Sequence, residues 1–318
     1  MELNEINGIF EANDDFVILT HKSPDGDTLG TGFALCYYLR DMGKRANVLN
    51  SDGFPARYAF MYEGYEPQEF EPKYVIAVDI ADPNLMGSAL AEYQQEGRVD
   101  LCIDHHYKNK QFAKLSYVEG DSPAAALILY QILKLSGREI SRKIAMCLYT
   151  GIATDTGCFK YENTTPAAHI AAAELMGYGF DYARINRLMF DVRSRARIDI
   201  EQRATAGMEY YFDGKCAVIT LTTAMMEEAG ADPSDFEGFA SIPLSAEGVV
   251  IGLTVKERHE NVFKISVRTA EDMDASAFCQ AFDGGGHIRA AGCEIRGSLD
   301  EVKKKLIAQV GRMLGVEQ

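Results

Sequence analysis

Val99-Asp100-Leu101-Cys102-Ile103-Asp104-His105-His106 is the stretch from which the fold can be read. Its apolar centre has the composition of a buried strand, and the polar run after it reads as a loop. One carboxylate and two imidazoles therefore arrive at the carboxyl end of a strand, where open α/β sheets bind ligands. Asp-His-His alone is equally compatible with a capped strand end carrying two solvated histidines.

Three further apolar runs repeat the arrangement in a chain that has only six histidines. Phe16 to Thr20 leads into His21-Lys22-Ser23-Pro24-Asp25-Gly26-Asp27, and Tyr74 to Val78 leads into Asp79-Ile80-Ala81-Asp82. A segment read as a fourth strand, Ile144 to Ile152, leads into Ala153-Thr154-Asp155-Thr156-Gly157. Four such strands in one parallel sheet would deliver oxygen and nitrogen donors to a single edge, the pattern of a dinuclear metal site. Hard oxygen donors with some imidazole suit Mn²⁺ or Mg²⁺, and no thiolate occurs in these motifs.

His-x-x-x-Asp-x-Asp, an Asp after a second strand, Asp-His-His and Thr-Asp-Thr-Gly together resemble the DHH phosphoesterase family. Downstream, Gly284-Gly285-Gly286-His287 followed by Ala290-Ala291-Gly292 is similar to the signature of its associated substrate-binding domain. The resemblance spans nearly the whole chain in the right order. In length and layout it is similar to the members that degrade short oligoribonucleotides and dephosphorylate 3′-phosphoadenosine 5′-phosphate, and equally to their cyclic-dinucleotide relatives.

The resemblance implies two divalent cations, Mn²⁺ ahead of Mg²⁺. One would be held by His21, Asp25 and Asp79, and the other by Asp27, Asp79, His105 and Asp155, with Asp79 shared. Cations ~3.5–4 Å apart lower the pKa of a bridging water and clamp a phosphoryl group for in-line attack. The implied reaction is phosphoester hydrolysis by a metal-bridging hydroxide. His106 would contact the scissile phosphate or protonate the leaving group, and Asp104 would orient a histidine. Arg268 with the Gly284, Gly285, Gly286 and His287 loop would grip a phosphate, because glycine leaves backbone N–H groups exposed. A gap between two domains would then limit substrates to short RNA oligonucleotides or small nucleotides. Turnover of cyclic di-AMP or its linear product pApA is the alternative reaction, and a non-catalytic nucleotide sensor the alternative class. A homodimer is compatible with the resemblance.

A chain of 318 residues exceeds the ~250 at which single cores stop growing, so two domains are expected. The boundaries read as a DHH domain over 1–190, a charged linker helix over 191–212, and an associated domain over 213–318. The first half alternates strands and helices, which implies a doubly wound, mainly parallel sheet. Thr28 to Met42, Leu85 to Glu96 and Thr165 to Met176 read as helices, and Ser122-Pro123 as the N-terminal cap of one over Ala124 to Leu135. Cys216 to Leu221, Glu247 to Val255 and Val262 to Arg268 read as strands of a smaller α/β domain with a mixed sheet, Asn261 turning a hairpin.

Composition narrows the partners. With 47 acidic against 32 basic residues the chain carries −15, which argues against coating long duplex nucleic acid, since that binding needs a basic face. No apolar run reaches the ~18 residues of a membrane span. Seven scattered cysteines without Cys-x-x-Cys imply free thiols in a reducing compartment, the cytoplasm. The glycines at 26, 30 and 32 do not follow the dinucleotide order, and no P-loop is present. Asp82 reads either as an accessory to the site or as a helix cap, His169 and His259 as surface or packing histidines, and Arg258 and Arg289 as substrate contacts or solvated arginines.

Overall fold

The computed structural model describes residues 2–236, 238–270 and 272–316, and it divides into two compact units at Val192/Arg193. In the first unit the order is α1 (Leu3–Ala12), β1 (Phe16–Leu19), α2 (Gly26–Asp41), β2 (Ala46–Leu49), α3 (Ala59–Tyr62), β3 (Tyr74–Val78), β4 (Leu101–Asp104) and β5 (Leu115–Val118). It continues with α4 (Ala125–Leu135), α5 (Arg142–Asp155), α6 (Pro166–Met176) and α7 (Tyr182–Asn186).

The five strands form one parallel sheet in the order β2-β1-β3-β4-β5. The chain leaves β1 toward one side and returns on the other at β3, so the carboxyl ends of these two strands open a topological switch point. β1, β3 and β4 are almost wholly buried, which is why they read as unbroken apolar runs. Helices α1, α2, α4 and α5 build the large core on one face around Phe10, Phe33, Leu129 and Leu148. The other face buries Val17, Leu19, Val75 and Cys102 against Met86, Leu90 and Tyr93.

The run Ile144 to Ile152, expected as a fourth strand, belongs to helix α5. Ser141 caps it by accepting the N–H of Ile144, and residues 147–153 are all buried. A helix buried nearly all round shows no apolar stripe, so a short apolar run could not be told from a strand. The close packing rests on two glycines: a Cβ on Gly30 would come 2.5 Å from Cys147 O, and one on Gly151 2.8 Å from Asp27 Oδ1. The helix expected over Leu85 to Glu96 is two 3₁₀ segments, Pro83–Met86 and Ser88–Gln94, divided at Gly87 with φ 82°.

The second unit runs α8 (Arg195–Ala206), β6 (Glu209–Tyr211), β7 (Cys216–Leu221), α9 (Thr223–Ala229), β8 (Ile251–His259), β9 (Val262–Thr269), α10 (Ala275–Gln280), β10 (Gly285–His287), β11 (Ala290–Arg296) and α11 (Leu299–Leu314). Its sheet is mixed, in the order β10-β11-β9-β8-β7-β6 with only β7 and β8 parallel. α10 and α11 cover one face over Phe278, Val302, Leu306 and Val310. On the other face Ile200 and Ala204 of α8 bury against Ile219, Leu221 and Phe239, and the chain then continues into strand β6 rather than helix. β8 begins at Ile251, later than the expected 247, after a turn at Gly248 with φ 81°. Asn261, with φ 59°, turns the β8–β9 hairpin.

No helix among the described residues is long and apolar enough to cross a membrane. All seven cysteines are free.

Candidate metal centre

The loops after β1, β3 and β4 and the C-terminus of α5 bring seven side chains into one cluster. His21 lies just past β1, and its Nδ1 is held 2.8 Å from the Lys22 carbonyl. That leaves Nε2 3.7 Å from Asp25 Oδ1 and 3.5 Å from Asp79 Oδ2. Asp25 caps α2, its Oδ1 accepting the N–H groups of Asp27 and Thr28 at 3.0 and 3.1 Å. His105 Nδ1 faces the Ser122 carbonyl at 3.1 Å. Its Nε2 lies 3.3 Å from Asp79 Oδ1, 3.3 Å from Asp155 Oδ2 and 3.9 Å from Asp27 Oδ2.

Asp79 is the shared member. It follows β3 directly, adopts φ 57° and is buried. Its Oδ1 takes no hydrogen bond although no solvent reaches it. A buried carboxylate oxygen without a donor is costly, and such an atom calls for an explanation. The potential donor atoms fall into three overlapping groups: His21, Asp25 and Asp79; Asp79, His105 and His106; and Asp27, His105 and Asp155. Carboxylate oxygens and imidazole nitrogens without thiolate suit divalent cations of the Mn²⁺ and Mg²⁺ kind.

Asp27 does more than face the cluster. Its two oxygens accept the N–H groups of Ala125 and Ala126 at 2.7 and 2.9 Å. The expected Ser122-Pro123 cap is therefore corrected: α4 begins at Ala125, and its leading N–H groups are taken by Asp27. Ser122 instead turns its hydroxyl to the Ala124 carbonyl at 3.1 Å.

The electrostatics follow from this crowding. Burial, and then the charges of Asp79 and Asp155, push the Asp27 carboxyl well above the usual range. Burial and Asp79 push Asp155 up to about 7. Burial disfavours charged His21, yet Asp25 and Asp79 push it up to about 11. His105 likewise rises against its burial to about 10 beside Asp79, Asp27 and Asp155. Asp25 is held low despite burial by His21. The cluster is thus poor in positive charge for the carboxylates it gathers.

His106 turns differently. Its Nδ1 lies 2.7 Å from Asp104 Oδ1, and Asn109 Nδ2 donates to Asp104 Oδ2 at 2.6 Å. The Asp104 hydrogen bond raises the His106 pKa, while Asp104 is held low despite burial by His106 and Asn109. Asn109 and the carbonyls of Lys22 and Ser122 were not singled out from sequence; only Asn109, a polar residue in the loop after the histidines, carries any signal.

The other expected site residues lie elsewhere. Asp82 caps the turn Pro83–Met86 and pairs with Lys110. His169 stacks on Phe159 at 5.1 Å, and His259 is exposed at the end of β8. In the second unit Gly285, Gly286 and His287 form strand β10 rather than a bare loop. Gly286, at φ 150°, lies so close to β11 that a Cβ would meet Ala290 O at 2.6 Å. Arg268, Ala290 and His287 are in register across β9, β11 and β10, so these residues share one face of the sheet. Arg289 donates to the Met273 carbonyl at 3.1 Å.

Residues 15–152 match the DHH family, N-terminal domain, and residues 213–312 the DHHA1 domain. The bifunctional oligoribonuclease and PAP phosphatase NrnA of Thermus thermophilus is 33% identical over 298 residues, 92% of this chain and 88% of that protein. The protein of the same description from Bacillus subtilis is 22% identical, covering 92% of this chain and 93% of its own. The crystal structure of an exopolyphosphatase-related protein from Bacteroides fragilis matches with a TM-score of 0.83 and 26% identity, over 98% of this chain and 95% of that one.

Proposed function

Because this chain belongs to the DHH family of phosphoesterases, we propose that it hydrolyses short oligoribonucleotides and 3′-phosphoadenosine 5′-phosphate with two divalent cations, Mn²⁺ first. The observation that carries the reading is Asp79, whose buried Oδ1 accepts no hydrogen bond of good geometry, with His105 Nε2 3.3 Å away, and whose carboxylate is common to two donor groups. His21, Asp25 and Asp79 would hold one ion, and Asp27, Asp79, His105 and Asp155 the other. Bound there, the ions would activate water and neutralise a phosphoryl group.

The protein's own groups do the rest. The carbonyls of Lys22 and Ser122 turn His21 and His105 so that both Nε2 atoms point at Asp79. Asp104 holds His106 with Nδ1 engaged, so its Nε2 is left to contact the scissile phosphate or protonate the leaving oxygen. In the second unit, Arg268 and His287 with the glycines 284–286 are suited to a substrate phosphate. The relatives named for oligoribonuclease and PAP phosphatase activity support this substrate class over cyclic dinucleotides.

The test is product chromatography with Mn²⁺ on three substrates: a 5′-phosphorylated diribonucleotide, adenosine 3′,5′-bisphosphate and cyclic di-AMP. Cleavage of the first two with the third intact is expected. Preferential loss of cyclic di-AMP would move the protein to turnover of that messenger, and inertness toward all three would leave a nucleotide sensor.

A further inference from the structure

Two exposed tyrosines stand beside the donor cluster of the first unit, each held against a glycine. Tyr107 follows His106 directly and is 79% exposed. Its ring covers Gly120 so closely that a Cβ there would lie 2.5 Å from it. Its hydroxyl donates to Asp121, next to Ser122, whose carbonyl faces His105. The hydroxyl is thus engaged, and the ring face is what remains for a partner.

Tyr161 is 62% exposed and covers Gly157, two residues past Asp155, where a Cβ would lie 2.4 Å from the ring. An unusual turn puts it there. Gly157, Cys158 and Phe159 have φ of 56°, 59° and 62°, a left-handed run that costs roughly 1–2 kcal/mol for each residue with a side chain. Thr156 supports it by accepting the N–H of Phe159 on its hydroxyl at 3.1 Å and that of Tyr161 on its carbonyl at 3.1 Å. Asn163 then ties the loop to the carbonyls of Asp155 and Pro123 at 3.1 and 3.4 Å.

An aromatic ring ordinarily buries its faces. A ring that is anchored yet open to water has the properties of a stacking platform, and every nucleobase offers it a π-face. We propose that Tyr107 and Tyr161, one beside each member of the His105–Asp155 pair, stack the bases of a short nucleotide substrate. They would select for the presence of a base rather than its identity. This inference rests on the phosphoesterase reading above and adds the base as a determinant of the substrate.

The experiment compares wild type with Tyr107→Ala, Tyr161→Ala, Tyr107→Phe and Tyr161→Phe on a 5′-phosphorylated diadenylate and on its abasic counterpart. Each alanine variant should raise KM for the diadenylate about tenfold, with kcat within about twofold, and the phenylalanine variants should restore it. On the abasic compound, wild type and variants should share one high KM. The chain has no tryptophan, so Tyr107→Trp and Tyr161→Trp each install a single indole. Its emission should be quenched by a hydrolysis-resistant phosphorothioate diadenylate with Mg²⁺. Unchanged KM in the alanine variants while wild type cleaves the diadenylate, or an unquenched indole, overturns the stacking role and leaves the phosphoesterase reading intact. A wild type inert toward every nucleotide overturns both.

Discussion

Asp27 accepts the backbone N–H of Ala125 at 2.7 Å, across 98 positions of sequence. With Ala126 bound to the other oxygen, one carboxylate both faces the donor cluster and caps α4. Asp27→Ala should therefore destabilise the protein even without metal, by about 1–3 kcal/mol, the cost of leaving buried N–H groups unpaired. Urea unfolding in chelator at about pH 5.5, where protonation of Asp155 weakens the competing relief of repulsion, measures it. Unchanged stability would show that the cap is dispensable.

Asp155 should behave in the opposite sense. Its pKa of about 7 lies above the ordinary 3.8, so folding favours the protonated form. That contribution is complete below about pH 4 and is lost as the pH rises through about 7. In chelator, Asp155→Asn should be more stable than wild type at pH 8 and indistinguishable from it at pH 4. Parallel stability curves across that range would exclude the upward shift that burial and Asp79 impose on Asp155.

Asp79 combines a left-handed backbone with a buried oxygen that accepts no hydrogen bond of good geometry, strain of the kind found where function requires it. Asp79→Asn tolerates the backbone and removes the charge. It should weaken both steps of a Mn²⁺ calorimetric titration at least about tenfold and abolish turnover. A single step of wild-type affinity would mean that the carboxylate is not shared.

Asp104→Asn leaves every proposed metal donor in place and removes the carboxylate that fixes His106. kcat should fall roughly 10²-fold with Mn²⁺ stoichiometry unchanged. The pH–rate limb belonging to His106 should move down, since Asp104 is the main cause of its raised pKa. Full activity would remove His106 from the chemistry.

In the second unit, Gly286→Ala would press a methyl into β11, whereas Gly285→Ala meets open space. The first should cost about 1–3 kcal/mol and raise KM for nucleotides. The second should stay within about 0.5 kcal/mol. Thermal melts and Michaelis curves on both variants check this, and equal losses would show that packing on β11 is not what positions β10.

The parallel sheet was legible because β1, β3 and β4 are buried on both faces and run unbroken into charged residues, which also revealed the gathering of His21, Asp79 and His105. Asp155 was read at the end of a strand and ends a helix instead, since burial nearly all round erased the helical period of α5. The capping of α4 by Asp27 left no trace, because backbone N–H groups carry no residue signature. Gly284 to His287 read as a loop because glycines have no side chains with which to show a period of two.

The topology of the first unit also constrains when the centre can exist. Its donors begin at His21 and end at Asp155, and Asp155 is positioned only once α5 has packed along α2 at Gly30 and Gly151. Contacts so distant in sequence form slowly and late. A chain still being synthesised therefore lacks the complete donor set until α5 has been made and has packed against α2. Until α5 docks the donor set is incomplete, and a cation that bound only the completed set would draw the folding equilibrium forward by mass action.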